Sequence, residues 1–132
     1  MHSDPYKDLF TPAVLLDLFP ADRSNSFFDA LYGDIDEGVY DIELDYQGYA
    51  PNSHSLHFCF NLRERPGRCL ACHLTHGLPE VFARHPVIGV TTLVGRINAL
   101  LAGRAECGEW RLGATQSISS KLYGVPLIIK LR

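Results

Sequence analysis

The sequence has no apolar run approaching the ~20 residues of a membrane-spanning helix. Its first residues, Met1-His2-Ser3-Asp4-Pro5, lack the basic and apolar stretches of a secretory leader. Its last, Lys130-Leu131-Arg132, match no lipidation or retention address. Four cysteines in 132 residues are too few for a disulfide scaffold. These absences predict a reduced, cytoplasmic setting. Internal repeats, low-complexity tracts and linkers are also lacking, so one domain is expected. No phosphate-binding loop, nucleophile elbow or HExxH is present, which removes several motif-legible enzyme classes.

What is present is a foldable composition. Apolar residues make up 46% and charged residues 20%, which excludes a disordered chain. A chain of this size buries roughly two-thirds of its unfolded surface. The net charge of −3 hides two opposed halves. Residues 1–45 hold 11 acids and 2 bases, a charge of −9; residues 46–132 hold 4 acids and 10 bases, a charge of +6.

The N-terminal segment, residues 1–33, reads as short helices divided by turns. Asp4-Pro5 and Thr11-Pro12 each set a capping side chain before a proline at the first helical position. Leu15, Leu16, Leu18 and Phe19 supply an apolar side before Pro20. Ser24 or Ser26 can cap a second helix carrying Phe27, Phe28 and Leu31, ended by Gly33. Residues 38–76 then read as a β-meander. Tyr40, Ile42, Leu44 and Tyr46 alternate with Asp41, Glu43 and Asp45, a half-buried strand with an acidic face. After a loop at residues 47–53, Phe58, Phe60 and Leu62 point inward, with His57, Cys59, Asn61 and Arg63 outward. Arg65-Pro66-Gly67 marks a tight turn into a third strand, with Leu70, Cys72 and Leu74 inward and Cys69 and His73 outward.

Residues 79–102 read as helical: a short helix from Pro79 to Arg84, then a longer one from Pro86 to about Ala102. In the longer one Val87, Val90, Val94, Ile97 and Leu101 recur at helical spacing, joined by Leu93 and Leu100. Residues 107–132 supply C-terminal strands, Glu109–Leu112 and Val125–Leu131. Pro126 favours an edge or a first residue. Residues 115–123 fit helix or strand. The expected fold is α+β: an antiparallel sheet, with a three-stranded meander plus one or two C-terminal strands, one long helix on its apolar face, and short N-terminal helices.

Cys69-Leu70-Ala71-Cys72-His73 matches the C-x-x-C-H pattern of covalent haem attachment. Within a strand, however, residues three apart face opposite ways, so the two thiols cannot serve one ligand. The same geometry divides a zinc set of Cys69, Cys72, His73 and His76 between faces, and a second ligand pair is missing. No metal or cofactor is therefore expected.

The outward sheet face is the better candidate. A turn centred on Pro66-Gly67 sets Cys59 opposite His73, and the hydrophobic register sets Glu43 near Cys59 and Asp45 near His57. A Cys–His pair can generate a thiolate. The order Glu–Cys–His across the strands is nevertheless wrong for a carboxylate-oriented base. Glu43, Asp45, His57, Cys59, Arg63 and His73 are therefore expected to form a binding face rather than a catalytic one. Cross-strand pairing of acids with His and Arg is expected to neutralise much of the charge split internally. A pI near 6.0 and aromatics on core positions argue against nucleic acid. The expectation is a small non-catalytic binding or protein-interaction module, with a protein partner or a second copy of itself as partner, and with room for a small ligand. The competing expectation is a small thiol- or metal-dependent enzyme centred on Cys59 and His73.

Overall fold

The computed structural model describes residues 4, 6–20, 22, 23, 25–27, 40–67, 78–85, 88–119 and 121–132. They form an α+β fold in which helices cover one face of an antiparallel five-stranded sheet. A 3₁₀ turn, Lys7–Leu9, precedes helix α1, Pro12–Leu18. Thr11 caps α1 by accepting from the Val14 N–H at 3.3 Å, with Pro12 inside the first turn, as its sequence predicts. The α1 C-terminus is held by Arg96. Arg96 donates to the carbonyls of Asp17 and Leu18 and pairs with the Asp17 carboxylate at 2.9 Å. Arg23 and residues 25–27 are helical, and Ser26 lies inside that helix rather than at its cap. Phe27 is buried, whereas Ser24, Phe28, Leu31 and Gly33 lie outside the described residues.

Strands β1 (Tyr40–Ala50) and β2 (Ser55–Glu64) form a long hairpin. Helices α2 (Leu78–Arg84) and α3 (Val90–Leu101) follow. The chain ends in β3 (Cys107–Leu112), β4 (Gln116–Ser119) and β5 (Leu122–Leu131). The longer helix begins at Val90 rather than Pro86, since Gly89 adopts a left-handed conformation (φ 60°) that breaks the helix before it. Its buried face, Val90, Leu93, Val94, Ile97 and Leu101, is the periodic set read from sequence without Leu100, which is only half-buried, and Val87, which lies outside the described residues. Within the ambiguous stretch at 115–123, Gln116–Ser119 and the start of β5 are strand and pair antiparallel.

Strand order is β1-β2-β5-β3, with β4 also on β5. This corrects the expected pairing around β2. Residues 69–75 lie outside the described residues, and the edge of β2 where the turn estimate placed them is occupied by β5. Position 59 pairs with Asp45 on one side and Pro126 on the other.

Pro126 is a second correction, since it stands in an interior strand. Its carbonyl accepts from the Gly113 N–H at 2.8 Å. In a strand the nitrogen of a residue points the same way as its carbonyl. The missing N–H therefore faces residues 113–115, the interruption between β3 and β4. A proline is tolerated there because no ladder bond is lost.

The core lies between sheet and helices. Leu56, Phe58, Phe60, Leu62, Val125, Leu127 and Ile129 project from β2 and β5. Phe60 meets Phe19 and Phe82 edge-on, at centroid distances of 5.5 and 5.7 Å, and Phe82 meets Phe27 at 5.6 Å.

Candidate functional site: the open face of the sheet

Period-two alternation sends the remaining β-strand side chains to the face opposite the helices. On β1 these are Asp41, Glu43 and Asp45. On β2 they are Ser55, His57, Cys59, Asn61 and Arg63; on β5, Gly124, Pro126, Ile128 and Lys130; and on β3, Glu109 and Arg111. Of the six residues expected to share a site, Glu43, Asp45, His57, Cys59 and Arg63 are on this face. His73 lies outside the described residues.

The register within the face differs from expectation by two residues. Asp45 lies opposite Cys59 and Glu43 opposite Asn61, and His57 lies opposite Gly48. The parity, and hence the face, is unchanged. The shift arises because β1 and β2 continue through most of the expected loop, leaving residues 51–54 as the turn. One extra residue is absorbed as a bulge between Tyr46 and Gly48, whose φ of +133° favours glycine. Asp4 fastens this bulge. Its Oδ2 accepts from the Tyr46 hydroxyl at 2.7 Å and the Tyr49 N–H at 3.2 Å, and its Oδ1 from the Tyr6 N–H at 2.9 Å. Burial and the Asp4 carboxylate both raise the Tyr46 phenol above its ordinary value.

Cys59 is buried on a nominally outward face because β5 is low beside it. A Cβ on Gly124 would stand 2.7 Å from the Cys59 Sγ and 3.4 Å from Ile118 Cδ1, so Gly124 is the space into which the thiol fits. Burial pushes the Cys59 thiol up to about 11; the Asp45 carboxylate adds to this, and the Val125 backbone hydrogen bond opposes it. A thiol in this state is protonated at neutral pH, the reverse of what a nucleophilic cysteine requires.

His57 Nε2 is 3.0 Å from Ser55 Oγ, which is 2.6 Å from Ser53 Oγ. Ser55 is 1% exposed, so this chain satisfies a buried hydroxyl rather than presenting it to a substrate. Among the described residues, no three His, Cys, Asp or Glu side chains are grouped to hold a metal ion.

The ion pairs follow the charge split. Glu43 pairs with Arg63 at 3.6 Å, Asp41 with Arg65 at 3.0 Å, and Asp17 with Arg96 at 2.9 Å. Each joins an acid from the first 45 residues to an arginine from the rest. Asp45, Arg111 and Lys130 have no ion-pair partner among the described residues, and Asp45 accepts instead from Gln47 Nε2 at 2.9 Å.

Sequence reasoning missed a second concavity that uses two of these residues. A groove of about 310 Å³ runs between α1 and β1, lined by Pro12, Leu15, Leu16 and Phe19 opposite Ile42, Glu43, Leu44 and Asp45. Its signal in the sequence was Leu16, one apolar residue more than the core-facing side of α1 can hide, and it is 58% exposed. Compared with known proteins, the chain matches no family model, no curated protein and no solved structure.

Proposed function

We propose that this chain is a non-catalytic protein-interaction module of the reducing cytosol that self-associates through the open face of its sheet. The observation that carries the reading is the layout of that face. Its centre, Cys59, Gly124, Pro126 and Ile128 with Ile118 exposed beside it, holds no charge. Its margins differ in sign: Asp41, Glu43 and Asp45 lie along β1, and Arg111 and Lys130 lie across the sheet with Glu109 as the acid among them. Two copies related by a two-fold axis between stacked sheets bring each acidic margin against a basic one. Such pairing supplies register and encounter rate more than raw affinity, because the margins are solvated and partly neutralised by Arg63 and Arg65. The free thiols at Cys59 and Cys107 support the reducing compartment. The competing thiol-enzyme reading needs a thiolate where Cys59 is held protonated.

Sedimentation equilibrium at ~0.01 M and ~1 M salt tests this, since the Debye length falls from about 30 Å to about 3 Å over that range. A dimer that dissociates at high salt is expected. The variants Arg111→Glu/Lys130→Glu and Glu43→Lys/Asp45→Lys are each expected to be monomeric alone and to form a heterodimer when mixed. A wild-type monomer at low salt, or a dimer indifferent to both salt and these reversals, overturns the reading.

A further inference from the structure

We infer that the groove between α1 and β1 is a docking site for an extended segment of a foreign protein in which apolar residues alternate with Lys or Arg. This does not rest on the self-association proposed above; Glu43 and Asp45 serve both, and Leu16→Ser, on the helical side, is the variant that tells the two apart. The argument begins with the shape of the groove. The α1 wall runs from Pro12 to Phe19, about 10 Å at the helical rise, and the β1 wall runs from Ile42 to Asp45, ~10 Å at the strand rise. That length accommodates three to four residues of extended chain. The volume of about 310 Å³ lies at the small end of the range for ligand pockets, suiting one or two apolar side chains and not a large rigid ligand.

The chemistry of the walls selects what those residues are. Leu15, Phe19, Ile42 and Leu44 form an apolar floor, each at most 8% exposed. Leu16, outside the core, adds an apolar lip on the helical side. The charged residues lining the groove are Glu43 and Asp45, both acidic. Because β1 alternates, Ile42 and Leu44 point to the helical side and the two carboxylates to the open face of the same strand. Asp45 has no ion-pair partner among the described residues, and the Glu43–Arg63 pair is long, at 3.6 Å with both side chains more than half exposed. A competing cation can replace Arg63 at little cost. An extended peptide lying along β1 alternates in the same way, so apolar side chains directed into the groove send the intervening ones to the open-face side, where a cation meets Glu43 or Asp45.

The same features argue against a second copy as the occupant. A second β1 brings Asp41, Glu43 and Asp45 against acids, which is unfavourable across strands. This chain's own apolar-basic alternation, Leu127, Ile129 and Leu131 with Lys130 and Arg132, is committed to β5 inside the sheet.

The test is a titration of the ¹⁵N-labelled full chain with Ac-Lys-Leu-Lys-Leu-Lys-NH₂, followed by amide shift changes. The controls are Ac-Lys-Ser-Lys-Ser-Lys-NH₂ and Ac-Glu-Leu-Glu-Leu-Glu-NH₂. Shifts confined to residues 12–19 and 42–45 are expected, with each control at least about tenfold weaker, the scale of one lost 1.4 kcal/mol interaction. Leu16→Ser alters an exposed residue, so it should keep the wild-type circular dichroism and weaken binding several-fold; Asp45→Lys should weaken it further. The proposal is overturned by shifts scattered over the acidic surface, by equal binding of the serine peptide, by no binding at millimolar peptide, or by indifference to both variants.

Discussion

Along β2, Leu56, Phe58, Phe60 and Leu62 are at most 1% exposed and meet the helices, whereas the alternate residues, His57, Cys59, Asn61 and Arg63, point to the opposite face. The two sets share one backbone, one register and the same neighbouring strands. On the helical face, large rings and branched side chains interlock, so volume governs what each position tolerates. On the open face, most polar groups reach solvent and glycine and proline keep the surface low, so volume matters most where Cys59 fits over Gly124. The contrast separates what the fold requires from what remains available for contact with another molecule.

Substitutions can break or sharpen that contrast. The largest effect is expected for Phe60→Ala, which removes a ring held edge-on by Phe19 and Phe82. It should cost about 3–5 kcal/mol in urea unfolding; a cost below ~1 kcal/mol means the helical face is loosely packed. Next is Gly124→Ala, the one open-face change expected to matter. Its Cβ meets the Cys59 Sγ at 2.7 Å, and overpacking of this kind costs about 1–3 kcal/mol. Adding Cys59→Ala should restore most of that loss, so a double-mutant cycle with no coupling contradicts the contact.

A smaller, pH-dependent effect follows from Cys59 itself. Its folded pKa, about 11, lies above the unfolded value. The protonated thiol therefore contributes stability that is fully present below the unfolded pKa of ~8.5 and is lost as pH rises through about 11. Unfolding midpoints of wild type should fall relative to Cys59→Ser across that window and run parallel below it. Identical slopes throughout contradict the burial of this thiol. Least is expected from Glu43→Gln or Arg63→Gln, each within about 0.5 kcal/mol, because both side chains are more than half exposed. A larger loss makes the open face part of the stabilising structure.

Local periodicity was legible wherever one element met one environment. The period of two in β1 and β2 assigned their faces correctly, and the spacing of Val90, Val94, Ile97 and Leu101 located the buried side of α3. Thr11-Pro12 marked the start of α1 because capping is a contact between near neighbours. What was illegible depends on distant residues. Nothing near Cys59 announces that Pro126, 67 positions later, lies beside it. Pro126 itself read as an edge residue because the gap between β3 and β4 that accommodates it is a property of the assembled sheet. The Asp45–Cys59 register was missed by two because the strands run on through the expected loop, and the bulge at Gly48 that keeps the faces in phase owes its anchor to Asp4, far back in the chain. The candidate face was thus recognisable residue by residue, while its neighbours, and the groove that α1 adds beside it, were not.

The position of β5 has a consequence for the order in which the chain can fold as it is made. β5 holds residues 122–131, and it separates β2 from β3. Until those residues leave the ribosome, the β1–β2 hairpin has a vacant inner edge and β3 lacks the partner that joins it to the sheet. Synthesis therefore delivers β5 after the strands it joins, and a hairpin bearing Phe58, Phe60 and Leu62 must wait with an open edge, a form prone to pairing with other nascent chains. Loss of β5 divides the sheet at its middle instead of trimming its rim. Chains stalled before about residue 122 are thus expected to engage chaperones more than chains that have released β5.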